Sequence, residues 1–452
     1  MVSFILPGNS ATGGYDVANS CRFNSGSTDH LDRTFGSAGN RRTFTVSFWL
    51  KTTTKETYNT IFDSGADGSN SDDIYFHTGR LNFSAYYGST QFMLRTKAKY
   101  RDPSAWTHFV VAFDTTQSTA SNRLKMYANG TQITEFDDET SPSQNFQTSY
   151  MNLDRLHNIG TLTDGDNFPL DGYLAEMVFI DGQALDPTSF GEFDEDSPTI
   201  WKPIDLSGLT FGTNGFYLDF ENSSSLGADQ SGNSNDFTAR NLTSVDQSTD
   251  TCTNNFATLN PLEAEENSPT FSDGNLTQTT PNSGASGGRS TIEIPHTGVW
   301  YWEVKIVSTT GTIGDNLRLG ISNDSPSSNS GQLIKYMSDG QSQIPGSSSS
   351  YGASYAAGDI IGIKVDADSN QVTFYKNGAT QGAISYTMVD GETYKAVVGE
   401  FSNTIGCVYS MNFGNAPFSI SSGNSDPNGY GNFEYSTDSG YALNTKNLAE
   451  FG

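Results

Sequence analysis

The dipeptide Asn377-Gly378 constrains the fold of this chain more tightly than any other feature. It closes the last of three runs in which bulky apolar and polar residues alternate: GVWYWEVKIV at 298–307, LRLGIS at 317–322 and GDIIGIKVDADSNQVTFYKNG at 358–378. Successive strand side chains point to opposite faces, so a period of two predicts strands half-buried on one face. A two-residue type I′ turn needs positive φ at both central positions, which Asn and Gly supply, so the dipeptide predicts an antiparallel hairpin. The front of the chain repeats the pattern in FTVSFWLKT (44–52), WTHFVVAFD (106–114), RLKMYANGTQI (123–133) and DGYLAEMVFIDGQAL (171–185). Tyr-x-Asn-Gly occurs in both series, at 127–130 and 375–378, but the flanking sequences do not align. Two separate sandwiches therefore meet the same turn requirement. No long window carries apolar residues at i, i+3, i+4 and i+7, so helices are predicted to be few, with 189–193 and 445–450 as candidate helical turns.

Charge decides against one large class of partner. The chain has 51 acidic and 24 basic residues, a net charge of −27. Nucleic-acid binding needs a basic stripe to neutralise phosphates, and only Arg41-Arg42 and the run 95–101 are locally basic. Both read as solvated edges. No stretch approaches the roughly 18 apolar residues of a membrane helix, so no membrane insertion is expected. The opening run 2–7 is too short and uncharged for a signal peptide. Cys21, Cys252 and Cys407 are widely separated and predicted to be buried thiols. Five histidines show no pair at metal-ligand spacing, and His108, alternating with Phe109 and Val111, is read as a partly buried structural residue.

Trp300, Tyr301, Trp302 and Glu303 resemble the opening strand of the SPRY (B30.2-like) family, and Gly358-Asp359 with Phe374, Tyr375, Asn377 and Gly378 resemble its central hairpin. That resemblance spans about 268–418 and implies a twisted antiparallel β-sandwich that binds partners through loops at one end, without catalysis. The four front runs, across about 15–190, are similar to laminin-G or concanavalin A-like jelly rolls. The fold class is thus all-β: two antiparallel jelly-roll-type β-sandwiches joined by an ordered connector. The expected organisation is an N-terminal arm at 1–16, a first sandwich at 17–198, a connector at 199–267, a second sandwich at 268–420 and a C-terminal segment at 421–452. Trp201, Phe211, Phe216 and Phe220 require the connector to pack on a sandwich, whereas 267–289 reads as a long exposed loop. Segments GFYLDFENSS and ADQSGNSNDF within 199–242, the opening 20–51 and the closing SGYALNTKNL at 439–448 resemble virion structural proteins of tailed bacteriophages of marine bacteria. The resemblance implies a tail-fibre-like or capsid-surface appendage, made in the host cytoplasm and released by lysis.

The candidate sites follow from residue chemistry. Glu192, Asp194 and Asp196 alternate like a glycosidase strand, but a retaining pair must lie about 5–5.5 Å apart across a cleft, and Gly191 and Pro198 bracket the run. It reads as an acidic loop, and the protein as not an enzyme. No cofactor is required. Calcium is admitted, because hard oxygen ligands of the kind it takes are offered by Asp63, Asp67, Asp72 and Asp73, or by Asp164, Asp166 and Asn167. Ser, Gly and Tyr make adaptable binding loops, so SDGQSQIPGSSSSYGASY at 338–355 is the expected ligand-binding loop, with Ser338, Gln341, Tyr351 and Tyr355 in contact. Replacing Tyr351 and Tyr355 with Ala is expected to weaken attachment and leave Tm nearly unchanged. Host-surface glycan or protein and other virion proteins are the expected partners. Single sandwiches bind weakly and gain from repetition, so a homo-oligomer is expected, with a trimer favoured by the phage resemblance and Phe4, Ile5 and Leu6 as candidate docking residues. Capsid decoration and glycan degradation are the competing functions.

Overall fold

Neither central strand of the two sandwiches is half-buried; each is covered on both faces. In Thr43–Thr52 the residues Phe44, Val46, Phe48 and Leu50 enter the sandwich core. Thr45, Ser47, Trp49 and Lys51, on the opposite face, are at most 1% exposed. In Val299–Thr309 the run Trp300, Tyr301, Trp302, Glu303 and Val304 is wholly buried. The expectation of one solvent-facing side is corrected on this point. Later parts of the chain fold back over both outer faces and bind their polar groups.

The computed structural model describes residues 14–452 apart from 54–57, 68, 164–166, 265–266, 268, 283, 312–313, 315, 324–332 and 402–404. Phe4, Ile5 and Leu6, as well as Asp164 and Asp166, lie outside the described residues. The described chain divides into two units, 14–253 and 254–452. The segment expected to connect two sandwiches is therefore shared between them.

In the first unit, one sheet runs in the order Thr131–Gln132, Leu124–Ala128, Trp106–Asp114, Thr43–Thr52, Gly172–Asp181, Ser20–Phe23, Gln247–Ser248, and Phe216–Leu218 pairs with Gly172–Asp181. The facing sheet runs Phe136–Thr140, Thr90–Thr96, Arg80–Tyr87, Asn70–His77, Asn59–Asp67, Leu156–Ile159, His30–Thr34, Thr238–Arg240. Phenylalanines dominate the space between them: Phe44 stacks on Phe113 at 4.7 Å, and Phe83 meets Phe92 edge-on at 5.0 Å. Strands 216–218, 238–240 and 247–248 all come from the expected connector, so 199–253 completes the first sandwich. Its anchor is a buried ion pair. Lys51 Nζ donates to Asp250 Oδ2 at 2.6 Å, and Trp106 Nε1 donates to Asp250 Oδ1 at 2.9 Å.

The second unit pairs a sheet ordered Thr270–Ser272, Thr277–Thr279, Cys407–Asn412, Val299–Thr309, Ile360–Asp366, Gln371–Lys376, Ala379–Ser385 with one ordered Ser286–Ile294, Tyr394–Glu400, Leu317–Ser322, Leu333–Met337, Gln341–Ile344, Ser347–Ser350. The expected exposed loop 267–289 contributes two whole strands and the start of a third, with Leu276 fully buried. Residues 421–452 belong to this unit as well: Tyr441–Ala442 lies parallel to Val299–Thr309, and Thr445–Phe451 is the one α-helix among the described residues. Their anchor is Glu303, which accepts from Glu434 N at 3.0 Å, Tyr435 N at 2.8 Å and Asn412 Nδ2 at 3.0 Å. The helical turn expected at 189–193 is a 3₁₀ turn at Pro187–Ser189 instead.

Both Asn-Gly turns have the expected backbone, and share more than that. Asn129 and Gly130 sit at φ 45° and 74°, Asn377 and Gly378 at 48° and 79°. Asn129 N donates to His108 O at 2.9 Å while its Oδ1 accepts from His108 N at 2.8 Å. Asn377 does the same with Ile360, at 2.8 and 2.9 Å. The Asn side chain thus continues the hydrogen bonding to the neighbouring strand where its ladder ends, and at Asn377 the amide Nδ2 also donates to Asp359 Oδ1 at 2.7 Å, which an Asp could not do. Each glycine is also pressed by an aromatic ring from a trailing segment: a Cβ on Gly130 would lie 2.3 Å from Trp201, and one on Gly378 2.6 Å from Tyr435.

The covering of the first unit buries an unpaired acid. Glu176 occupies a bulge between Ala175 and Val178 at φ 51° and is 4% exposed. Tyr217 OH donates to it at 2.8 Å, and Tyr217 OH lies 3.1 Å from Tyr15 OH. Burial, with Asp219, Glu221 and Asp205 nearby, pushes the Glu176 carboxyl up from an ordinary 4.5 to about 8. The folded chain therefore holds a proton that the unfolded chain releases, so this group lowers stability as pH rises from about 4.5 to about 8, by up to roughly 1.4 kcal/mol per pH unit. Urea midpoints at pH 5, 6.5 and 8 should fall for the wild type and flatten for Glu176→Gln; parallel slopes would refute the assignment.

Candidate functional site

The sequence-predicted binding loop is a β-hairpin anchored to the core. Gln341–Ile344 and Ser347–Ser350 pair around Pro345-Gly346. Ser338 is 2% exposed; its Oγ donates to Gly314 O at 2.8 Å and accepts from Leu317 N at 3.1 Å. Tyr355 is also 2% exposed, with its hydroxyl 3.0 Å from Leu317 O and 2.9 Å from Tyr336 O. Burial pushes the Tyr355 hydroxyl well above its ordinary value. Tyr351 is half-buried, donates to Gly382 O and packs against Tyr336 and Phe374. Gln341 donates to Asp339 at 2.6 Å. Of the four residues, Ser338 and Tyr355 are structural, and only Tyr351 and Gln341 reach solvent. The tyrosines read as adaptable contacts are what ties a Ser/Gly run down.

The four aspartates do not converge either. Asp72 accepts from Tyr150 N at 2.7 Å, Met151 N at 2.8 Å and the Tyr87 hydroxyl. Burial raises its carboxyl to about 6 against those bonds. Asp67 is exposed and accepts from Ser69 N at 2.8 Å. Asp63 and Asp73 face each other across paired strands and share a hydrogen bond between carboxyls, Asp63 also accepting from Thr163. Burial, with Asp73 facing it, raises Asp63 well above the carboxylate range. Among the described residues no group of three or more His, Cys, Asp or Glu is arranged to hold a metal ion.

Three other readings find a structural explanation. Asp194 accepts from Asp196 N at 3.0 Å, Ser197 N at 2.9 Å and Lys202 Nζ at 3.2 Å, so it fixes its own turn. His108 is 1% exposed rather than partly buried. Its Nδ1 accepts from Trp201 Nε1 at 3.0 Å, which puts the ring proton on Nε2 facing Ser47 Oγ at 2.8 Å. Burial lowers its pKa to about 3. Cys21, Cys252 and Cys407 are free and buried.

Among the described residues, each unit has concave surfaces. In the first, a groove of about 310 Å³ is lined by Asp114, Asn122, Lys125, Tyr127, Leu185 and Asp186, among others. Ala112, opposite Lys125 in the adjoining strand, gives it a small-residue floor. Lys125 and Tyr127 project from the outer face, because Leu124 and Met126 enter the core. Among the described residues neither the Lys125 ammonium nor the Tyr127 hydroxyl has a hydrogen-bond partner. Asp114 is committed, taking Gln117 Nε2 at 2.6 Å and Thr116 N at 3.0 Å. In the second unit, grooves of about 390 and 130 Å³ share His296 and Asp390, with Glu293 and Glu392 lining the larger. His296 Nε2 donates to Glu392 O at 2.9 Å, so its ring is already engaged.

Comparison with known families agrees with this geometry. Residues 25–188 match the profile of the concanavalin A-like lectin/glucanases superfamily, and residues 299–416 match that of the SPRY domain. The chain carries a concanavalin A-like domain and a SPRY domain. Among solved structures it is similar to mouse laminin alpha1 chain domains LG4-5, at 11% identity over 88% of this chain and 92% of that one, TM-score 0.31. It is also similar to the SPRY domain of human HERC1, at 18% identity over 34% of this chain and 96% of that one, TM-score 0.30. A heptameric SAP-like pentraxin from Limulus polyphemus matches at 18% identity over 38% of this chain and 80% of that one, TM-score 0.29. No curated protein matches the chain. Both domains are of lectin-like, binding type, so the chain is a binding or recognition module.

The groove of the concanavalin A-like domain was not singled out in the sequence, yet a signal exists. In RLKMYANG, period two places Lys125 and Tyr127 together on the face opposite Leu124 and Met126. In the SPRY domain, Tyr355→Ala should cost about 3–5 kcal/mol, because it empties a core position. Tyr351→Phe should cost about 1 kcal/mol. Urea unfolding checks both, and a Tyr355→Ala chain as stable as wild type would put Tyr355 back at the surface.

Proposed function

We propose that this chain is a non-enzymatic recognition module of a phage virion, a tail-fibre-like or surface appendage that binds host-surface glycan or protein. The observation that carries the recognition reading is the open groove of the concanavalin A-like domain. Tyr127, its ring packed beside Leu185, lines the groove, and Lys125 and the Tyr127 hydroxyl offer unused polar groups there. Such a mixture of one apolar wall and a few polar groups suits a pyranose ring, which has an apolar face and a rim of hydroxyls. A non-enzymatic role is supported by the commitment of the acids. Asp194 holds a turn, and Asp63 and Asp73 bind one another inside the domain. The virion context rests on the resemblance of 20–51, 199–242 and 439–448 to phage structural proteins. In that setting the partners are other virion proteins and further copies of the chain, a trimer being favoured by the resemblance, and lysis releases the particle from the host cytoplasm.

A glycan array probed with wild type, Lys125→Ala and Tyr127→Phe tests the groove. The wild type should bind a discrete set of glycans, and each variant should bind them at least about tenfold more weakly with Tm unchanged. An array without binding, or variants equal to wild type, would contradict the glycan reading.

A further inference from the structure

Every open sheet has two outer strands, each offering unpaired backbone groups to another chain unless it is short, charged, bulged or covered. Most outer strands here are so protected. In the concanavalin A-like domain, Thr131–Gln132 and Gln247–Ser248 are two residues long. Phe136–Thr140 carries Asp137, Asp138 and Glu139, and Thr238–Arg240 carries Arg240, paired with Asp32 at 3.0 Å. In the SPRY domain, Ser286–Ile294 is covered by the preceding chain, through Thr291 N to Thr258 O and Asn260 N to Arg289 O, both at 2.7 Å. Thr270–Ser272 is three residues long. Ala379–Ser385 is interrupted by a register shift and bonded at Gly382 by Tyr351.

Ser347–Ser350 has none of these protections except modest length. All four serines are exposed. Its inner side pairs with Gln341–Ile344, and among the described residues no hydrogen bond is made to its outer side. The two-residue turn makes Ile344 and Ser347 a hydrogen-bonded pair, so the N–H and C=O groups of Ser348 and Ser350 point outward. The flank carries little charge: Asp339 touches Gln341 and Arg318 reaches Gln343 at 3.1 Å, but the strand itself has none. From Gln341 to Gly358, and again from Asn377 to Val389, the chain has no Asp, Glu, Lys, Arg or His, in a protein of net charge −27. Ile344, in the hairpin's other strand, leaves 36% of its surface in solvent.

We propose that Ser347–Ser350 is a self-association edge, pairing antiparallel with the same strand of a second copy so that two sheets become one. Charge selects the occupant. A different protein attracted to this chain would be basic and would meet its acidic surfaces, whereas two copies of a strongly acidic chain repel one another wherever their charges face. A strand without charged residues and with open backbone groups is a contact that identical acidic partners can make. Self-pairing of one edge is isologous, so the product is a two-fold dimer. The inference rests on the self-association in the proposed function but makes it a two-fold dimer in place of the trimer that the resemblance favours; the phage setting is not needed for it.

Sedimentation velocity of the full chain at micromolar concentration, with Ser348→Asp/Ser350→Asp as the variant, tests it. The substitutions leave the backbone donors in place and set like charges against each other across the contact. Wild type should sediment as a dimer, with slowed amide exchange at Ser348 and Ser350. The variant should be a monomer with an unchanged Tm. A dimer or trimer unaffected by the variant would overturn this location and leave self-association standing. A wild-type monomer would overturn both.

Discussion

The ion pair between Lys51 and Asp250 is the contact on which the first domain's organisation depends. Both side chains are at most 1% exposed, and their atoms approach to 2.6 Å. Moving two charges out of water costs several kcal/mol each, and their attraction offsets that only with good geometry and further hydrogen bonds. Asp250 has both: Trp106 Nε1 bonds its second oxygen, and Ser20 Oγ donates to its carbonyl at 2.6 Å. Desolvation still lowers the Lys51 pKa against the pull of Asp250. Without Asp250, Lys51 would lose its ion-pair partner on the covered outer face of a central strand. The pair therefore makes the trailing segment 199–253 a condition of folding rather than an appendage.

The SPRY domain solves the same problem with one carboxylate. Glu303 sits beside Tyr301 on the outer face of its central strand and is bonded by the backbone of 434–435. Burial raises its pKa, while those backbone bonds and Asn412 lower it. In both domains an aromatic ring from the trailing segment then settles on the glycine of the Asn-Gly turn, where no Cβ is present to block it. The shared Tyr-x-Asn-Gly sequence thus records a shared construction, in which turn, polar strand face and returning chain fit together.

Much of this was legible in the sequence. The two strand series, the low helix content and both Asn-Gly turns follow from period and turn chemistry, and the aromatic residues of 199–242 required that segment to pack. The covered outer faces were not legible, because Ser47, Lys51 and Glu303 alternate with apolar residues just as solvent-facing residues do. What satisfies them lies far along the chain, at His108, Asp250 and 434–435. Trp49 and Tyr301, large aromatics on the supposed wet face, were the available hint. Ser338 and Tyr355 were misread as exposed for a related reason. Serine and glycine marked 338–355 as adaptable, but composition carries no information on whether Tyr355 points out or in. Lys125 and Tyr127 were readable as a pair on one face, but the groove beside them is made by 184–186, which sequence spacing does not place there.

The central claim is that buried polar groups on the outer strand faces hold the trailing segments in place and so complete each sandwich. Limited proteolysis combined with urea unfolding of full-length Asp250→Ala tests it most directly. Removing one partner of a buried pair should destabilise the concanavalin A-like domain by about 3–5 kcal/mol, and cleavage should begin within 199–253. An Asp250→Ala chain with wild-type stability and no new cleavage in that segment would contradict it.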